Sequence, residues 1–205
     1  MDKREHWDER YTKNNLKWSS GPNTLLESLV VGKPAGKVLD VASGEGRNAL
    51  WLASRGWLVD AIDFSKIGIG KGRLMAAERN LEINWILADI CEQTFSRAEY
   101  DLVIVLFLHT SIEERVIWLP AVIEAVALGG QFIYIAHDPS NIDRGVGGPQ
   151  DRTLLPEVDD VCGMLGDFDI LQAEIYDRQF GDDPGHGESV TGVARDLLIS
   201  ARRRI

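Results

Sequence analysis

Residues 38–49 read Val38-Leu39-Asp40-Val41-Ala42-Ser43-Gly44-Glu45-Gly46-Arg47-Asn48-Ala49. An apolar run leads into a turn of small residues, and a helical pattern starts directly after it. Gly44 and Gly46 carry no Cβ, so the backbone there can approach a ligand closely. The helix that follows offers unpaired N–H groups and its positive dipole end to the same place. A ligand bearing a carboxylate or a phosphate suits such a turn.

The flanking sequence sets this turn in an alternating pattern. Lys37 to Val41, Leu58 to Ile62, Asn84 to Leu87, Asp101 to Leu106 and Gln131 to Ala136 read as strands. Arg47 to Arg55, Ile67 to Leu81 and Ile112 to Leu128 read as helices of about 3.6-residue periodicity. Near-continuous apolar strands separated by helices predict a parallel sheet covered on both faces. Beyond Ala136 the pattern changes. Pro139 to Arg152, rich in Gly, Pro and charge, reads as a loop. A helix near Pro156 to Met164 follows, then strands near Ile170 to Tyr176 and Ala194 to Ala201. The Gly- and Asp-rich stretch Gly181 to Gly192 leaves no room for a crossover helix, so the last two strands must pair antiparallel. No internal repeat and no linker divides the 205 residues, a length that suits one domain.

The turn alone fits two cofactors. Gly44-x-Gly46-x-x-Ala49 matches a dinucleotide fingerprint, with Asp63 at about the ribose-binding distance. Three neighbours favour S-adenosylmethionine (SAM) instead. Asp40 would repel a pyrophosphate but attract the cationic amino and sulfonium groups of SAM. Asp63 and Asp89 end two later strands, where one can bridge ribose hydroxyls and the other accept from the adenine amino group. The terminal hairpin is foreign to the ordinary dinucleotide fold. An isolated Asp at a strand end is most often a cap. Three of them along the carboxyl edge of consecutive strands, where open α/β sheets bind ligands, point to a site.

Taken together these residues resemble the class I SAM-dependent methyltransferases, in particular the bacterial small-molecule branch with the tellurite-resistance and thiopurine methyltransferases. The resemblance runs from Trp7-Asp8-Glu9-Arg10-Tyr11 through Trp18, Pro22-Asn23, the turn, Asp63-Phe64-Ser65 and Ala88-Asp89. It continues through Leu106-Phe107-Leu108-His109, Gly129-Gly130, Gly147-Gly148-Pro149 and Gly185-His186. It implies a Rossmann-like three-layer α/β sandwich, with a seven-stranded, mostly parallel sheet of order 3-2-1-4-5-7-6 and strand 7 antiparallel. It implies one domain, in which residues 1–34 form an N-terminal lid, 35–138 the SAM-binding core and 139–205 a loop, helix and hairpin. By resemblance, Asp40 and the Gly44–Gly46 turn contact the methionine part of SAM, and Asp63 holds the ribose. Phe64 lies against the adenine, Asp89 with Ile90 borders it, Trp18 closes over the cofactor, and Ala42, Asn48 and Leu106 also belong to the cofactor site. S-adenosylhomocysteine is the implied product. The chain departs from the family at Ala42, where Gly is usual; a positive φ there would be strained.

Because the sulfonium is already activated, the protein has to bind, align and exclude water. A base is needed only if the acceptor must lose a proton. His109, directly after an apolar strand, is the first candidate base; its other reading is a cap for the helix near Ile112. His137 follows the next strand and is the second candidate. His186 matches a family position in the hairpin. The histidines show no metal-ligand spacing, so a metal-free reaction is expected. Trp7, Trp18 and Phe180 fall outside the core pattern and could shape an acceptor site, whereas Trp51, Trp57, Trp85 and Trp118 read as core.

Composition narrows the acceptor. A net charge of −10 disfavours a polyanion, since nucleic-acid binding needs clustered Lys and Arg. The one basic cluster is Arg202-Arg203-Arg204, at the C-terminus. No Asn/Asp-Pro-Pro-aromatic motif follows the fourth strand, and neither Cys91 nor Cys162 follows a proline. A small-molecule acceptor is therefore expected, in a protein without nucleic-acid or membrane partners. The charged N-terminus and the widely spaced cysteines suggest the cytoplasm. The sequence leaves two alternatives: a SAM-binding protein without catalysis, and a nicotinamide-dependent oxidoreductase.

Overall fold

The computed structural model describes residues 2–13, 21–180 and 192–205. Seven strands form one sheet of order β3-β2-β1-β4-β5-β7-β6. They are β1 (Lys37–Val41), β2 (Leu58–Asp63), β3 (Ile83–Leu87), β4 (Tyr100–Leu106), β5 (Val126–His137), β6 (Phe168–Phe180) and β7 (Gly192–Arg203). The first five run parallel, and β7 lies antiparallel between β5 and β6. This is the expected order and the expected direction of the last strand.

Alternation along the strands produces two cores, one on each face. Leu39 and Val41 of β1, Val103 and Val105 of β4, Phe132 and Tyr134 of β5, and Leu197 and Ile199 of β7 point to one side. There they meet Trp118, Leu119 and Val122 of α5 (Ile112–Glu124) and Val161 of α7 (Val158–Gly163). Val38, Ile104, Ile133 and Leu198 point to the other side, against Leu26 of α2 (Thr24–Val30) and Leu52 of α3 (Arg47–Ser54). Period-two burial on both faces is why these strands read as unbroken apolar runs.

Several boundaries differ from expectation. The helix expected over Ile112 to Leu128 ends at Glu124, and β5 starts at Val126 rather than Gln131. The helical spacing of Val122, Ile123 and Val126 continues into the strand and conceals the change. Gly129, at φ +77°, and Gly130 then carry the strand through an irregular stretch. The expected loop Pro139 to Arg152 holds one short helix, α6 (Asn141–Arg144), and meets a 3-10 turn at Arg152–Leu154. The N-terminal segment contains α1 (Lys3–Thr12), capped by Asp2, besides α2, capped by Asn23. Trp57 and Trp118 are buried as expected, while Trp51 and Trp85 are half-buried. No helix among the described residues is long and apolar enough to cross a membrane.

Candidate active site

The parallel strands bring the ends of β1, β2, β3 and β4 to one edge, and the glycine turn lies there. Ala42 leaves β1 at φ +56°, Gly44 sits at +58° and Gly46 at +77°. Gly46 is the N-cap of α3 and has no side chain with which to cap it. The strain anticipated at Ala42 is thus present, because a left-handed conformation brings Cβ against the following carbonyl. The turn is held from the next strand. Gly44 donates its N–H to Asp63 Oδ2 (2.8 Å), Ser65 donates to Asp63 Oδ1 (2.7 Å), and Ser43 donates to the Ile62 carbonyl (2.9 Å).

Asp40 and Asp63 differ in how they are satisfied. Asp63 is buried with both oxygens accepting backbone N–H groups; burial still raises its pKa to about 6. Asp40 is 1 % exposed, and its Oδ2 has no hydrogen-bond partner. Burial lifts its pKa to about 7, opposed by a backbone hydrogen bond from Ala49 and assisted by the charge of Asp63. An unpartnered buried carboxylate oxygen is costly, and it suits a ligand that brings a donor or a cation.

The N-terminal elements rest against this turn. Tyr11 of α1 is buried over Gly44 and Gly68. Asp8 accepts from the Ser65 hydroxyl and from the Ile67 N–H, at the start of α4 (Lys66–Glu78). Lys71 of α4 joins the Tyr11 carbonyl to the carboxylate of Glu45, 2.9 Å away. Asn48 Oδ1 accepts the N–H of Asn23 (2.9 Å), so it ties α2 to α3. Sequence reasoning set Trp18 over the cofactor and Trp7 at an acceptor site, and gave Tyr11 no role of its own; Trp18 lies outside the described residues. Trp7 itself packs on Tyr11, with ring centroids 5.7 Å apart.

The remaining expected cofactor residues fall along the same edge. Phe64 follows Asp63 and is half-buried. Asp89, past the end of β3, accepts from the Cys91 N–H (3.0 Å), and Ile90 is buried in the core beside it. Leu106 is buried at the end of β4.

Next to these, at the ends of β4 and β5, the two candidate bases stand together. The rings of His109 and His137 are stacked, with centroids 5.3 Å apart at an interplanar angle of 10°, and Phe107 lies 5.3 Å from His137. His109 does not cap α5; Ser111 does, in a reciprocal pair with Glu114. His109 Nε2 instead accepts the backbone N–H of His137 (3.2 Å). Dense packing lowers its pKa to about 3, aided by the charge of His137. A neutral imidazole whose Nε2 accepts carries its proton on Nδ1. His109 is therefore arranged as a donor, and its Nε2 lone pair is already engaged.

His137 is oriented by residues that the sequence did not single out. Its Nδ1 lies 2.9 Å from Asp196 Oδ1, and Arg178 Nε donates to Asp196 Oδ2 (2.6 Å). Asp196 is fully buried; burial works to raise its pKa, but His137 and Arg178 outweigh that and hold it low. Nothing in the sequence separates Arg178 and Asp196 from the other charged residues of the hairpin strands. His186 lies outside the described residues.

The chain is similar to several known proteins. Residues 38–130 match the family model described as a methyltransferase domain. A 2-heptyl-1-hydroxyquinolin-4(1H)-one methyltransferase of Mycobacteroides abscessus is 30 % identical over 174 residues, covering 82 % of this chain and 76 % of that protein. Among solved structures, one described under the conversion of a disulfide bond into a thioacetal group during echinomycin biosynthesis aligns at TM-score 0.76 and 20 % identity. That alignment covers 99 % of this chain and 94 % of the other. TehB from Haemophilus influenzae aligns at TM-score 0.72 and 18 % identity, over 99 % and 68 % of the two chains. A SAM-dependent methyltransferase from Mesorhizobium loti aligns at 0.65 and 20 %, over 87 % and 96 %.

Proposed function

The chain belongs to the SAM-dependent methyltransferases, and from that premise we propose that it methylates a small, flat, hydroxyl-bearing heteroaromatic acceptor. SAM supplies an activated methyl group and departs as S-adenosylhomocysteine. The observation that carries the cofactor placement is Asp40 Oδ2, buried and unpartnered beside the glycine turn. The cationic amino group of the methionine moiety suits that oxygen, and Gly44 and Gly46 let the backbone come close. The uncapped start of α3 suits the carboxylate of the same moiety. Asn48 and Ala42 border this part of the site. Asp63 reaches the ribose through the lone pairs that its two backbone bonds leave free, since a carboxylate has about four acceptor positions. Phe64, Asp89, Ile90 and Leu106 line the adenine side, and Tyr11 with α1 shields the turn.

The acceptor class is supported by the hydroxyquinolone relative and by the half-buried aromatic rings of Phe107 and His109 at the end of β4. In this arrangement His109 donates from Nδ1 and orients the acceptor, while the packed edge excludes water. Titration calorimetry with SAM, S-adenosylhomocysteine and NAD tests the cofactor. Binding of the first two and not of NAD is expected; the reverse would return the turn to a dinucleotide role. Release of S-adenosylhomocysteine with 2-heptyl-1-hydroxyquinolin-4(1H)-one tests the acceptor.

A further inference from the structure

Buried ion pairs cost desolvation, so one that faces an imidazole at a ligand-binding edge calls for a reason beyond stability. Asp196 is reached across the terminal hairpin by Arg178 and across the β5–β7 pairing by His137, its direct partner in register. His137 Nδ1 and Asp196 Oδ1 miss strict hydrogen-bond alignment, yet they are 2.9 Å apart and each lacks any other polar partner. A carboxylate oxygen can face that nitrogen only if the nitrogen bears the proton. The lone pair of His137 is then on Nε2. Gly148, at φ +73°, closes on the ring near Cδ2 and Nε2, so closely that a Cβ there would lie 2.4 Å from Cδ2. His109 stacks on the ring and receives the His137 N–H. One histidine is left as a donor and the other as an acceptor, with the ionised carboxylate behind the acceptor.

We propose that His137 is the base that removes the acceptor's proton, and that Asp196, held by Arg178, is the positioning residue that fixes its tautomer. The inference rests on the methyl-transfer reading above and deepens it: the acceptor carries a weakly acidic hydroxyl that must be deprotonated for transfer. The hydroxyl proton passes to His137 Nε2, and the oxygen lone pair forms the new bond to the methyl carbon. The electrons of the broken C–S bond remain on sulfur, and the imidazolium then releases its proton to solvent. Asp196 stays ionised throughout and stabilises the imidazolium, as in other carboxylate–histidine pairs.

The experiment compares wild type, His137→Gln and Asp196→Asn on a series of 1-hydroxyquinolin-4-ones whose ring substituents carry the hydroxyl acidity from well above to well below the assay pH. For the least acidic members, His137→Gln should lose on the order of 10²–10⁴-fold in kcat. Members already ionised should be methylated at close to the wild-type rate. Asp196→Asn should show the same trend with smaller losses and an unchanged KM. An equal loss for every member, or no loss, overturns the proposal, because a structural role is blind to acceptor acidity. S-adenosylhomocysteine binding by each variant verifies folding. A second readout needs no acceptor: the ¹⁵N shifts of His137 in labelled protein at alkaline pH. A protonated Nδ1 and a lone-pair Nε2 are expected in wild type, with mixed tautomers in Asp196→Asn. The Nε2–H tautomer in wild type overturns the dyad. Wild type with the Nδ1–H tautomer but no turnover of any quinolone supports the dyad and refutes the acceptor reading.

Discussion

The hydroxyl oxygen of Tyr11 lies 2.6 Å from the position that a Cβ on Gly44 would occupy. An aromatic residue of the first helix and the glycine of the turn after β1 therefore share one space, which couples α1 to the turn.

Gly44→Ala should consequently act twice. The new Cβ collides with Tyr11, and the φ of +58° imposes the left-handed penalty of about 1–2 kcal/mol. Tyr11→Phe removes the colliding oxygen. In a double-mutant cycle on S-adenosylhomocysteine affinity, the two changes should couple by about 0.5–3 kcal/mol, with Tyr11→Phe partly rescuing Gly44→Ala. Strict additivity would show that the hydroxyl does not set the fit.

Ala42 offers the opposite experiment. At φ +56° an alanine is strained where glycine is not. Ala42→Gly should stabilise the folded chain by about 0.5–1 kcal/mol, the relief being offset in part by the greater freedom of glycine in the unfolded chain. Urea denaturation reads this directly. A lower midpoint for the variant would mean that the turn draws more from the alanine methyl than it loses in strain.

Asp63 is a structural brace whatever ligand it touches. Asp63→Asn keeps an acceptor for one of the Gly44 and Ser65 N–H groups and turns a donor on the other. Leaving one buried N–H opposed should destabilise the protein by about 1–3 kcal/mol, even without cofactor. The same variant should bind SAM more weakly as the turn relaxes. Unchanged stability with weakened binding would assign Asp63 to the ribose alone.

Much of this architecture could be read from residue order. The bounds of β1 agree with expectation because its apolar run is closed by a turn of small residues on one side and Gly36 on the other. The antiparallel β7 followed from the missing crossover between β6 and β7. The start of β5 was not legible, since Val122 to Leu128 satisfies a helical period and Gly129-Gly130 resembles a terminator. The partnership of Tyr11 with Gly44 spans two elements with no shared periodicity. Which ring nitrogen of His109 accepts the His137 N–H, and which residue His137 faces, is set by strand register. Asp196 is one of four charged residues on β7, and the sequence does not tell it, fully buried, from the others.

Asp40 connects the site to pH. Burial raises its pKa to about 7 and that of Asp63 to about 6. Between about pH 4 and 7 the folded chain thus holds protons that the unfolded chain has released, and the ligand-free protein loses stability as pH rises through this window. In the proposed placement the amino cation of SAM would reverse the local balance, because a positive charge beside Asp40 favours its ionised form. Binding must then expel the Asp40 proton at low pH but not above its pKa. Affinity for S-adenosylhomocysteine, which carries the same amino group, should rise with pH from about 5.5 to 7, by at most about tenfold per unit for one coupled proton. Asp40→Asn, which cannot ionise, should bind weakly and with a flatter profile, keeping only what Asp63 contributes near pH 6. Calorimetry in buffers of different ionisation enthalpy would count the released proton. A wild-type profile as flat as that of the variant would remove the cationic group from Asp40 Oδ2.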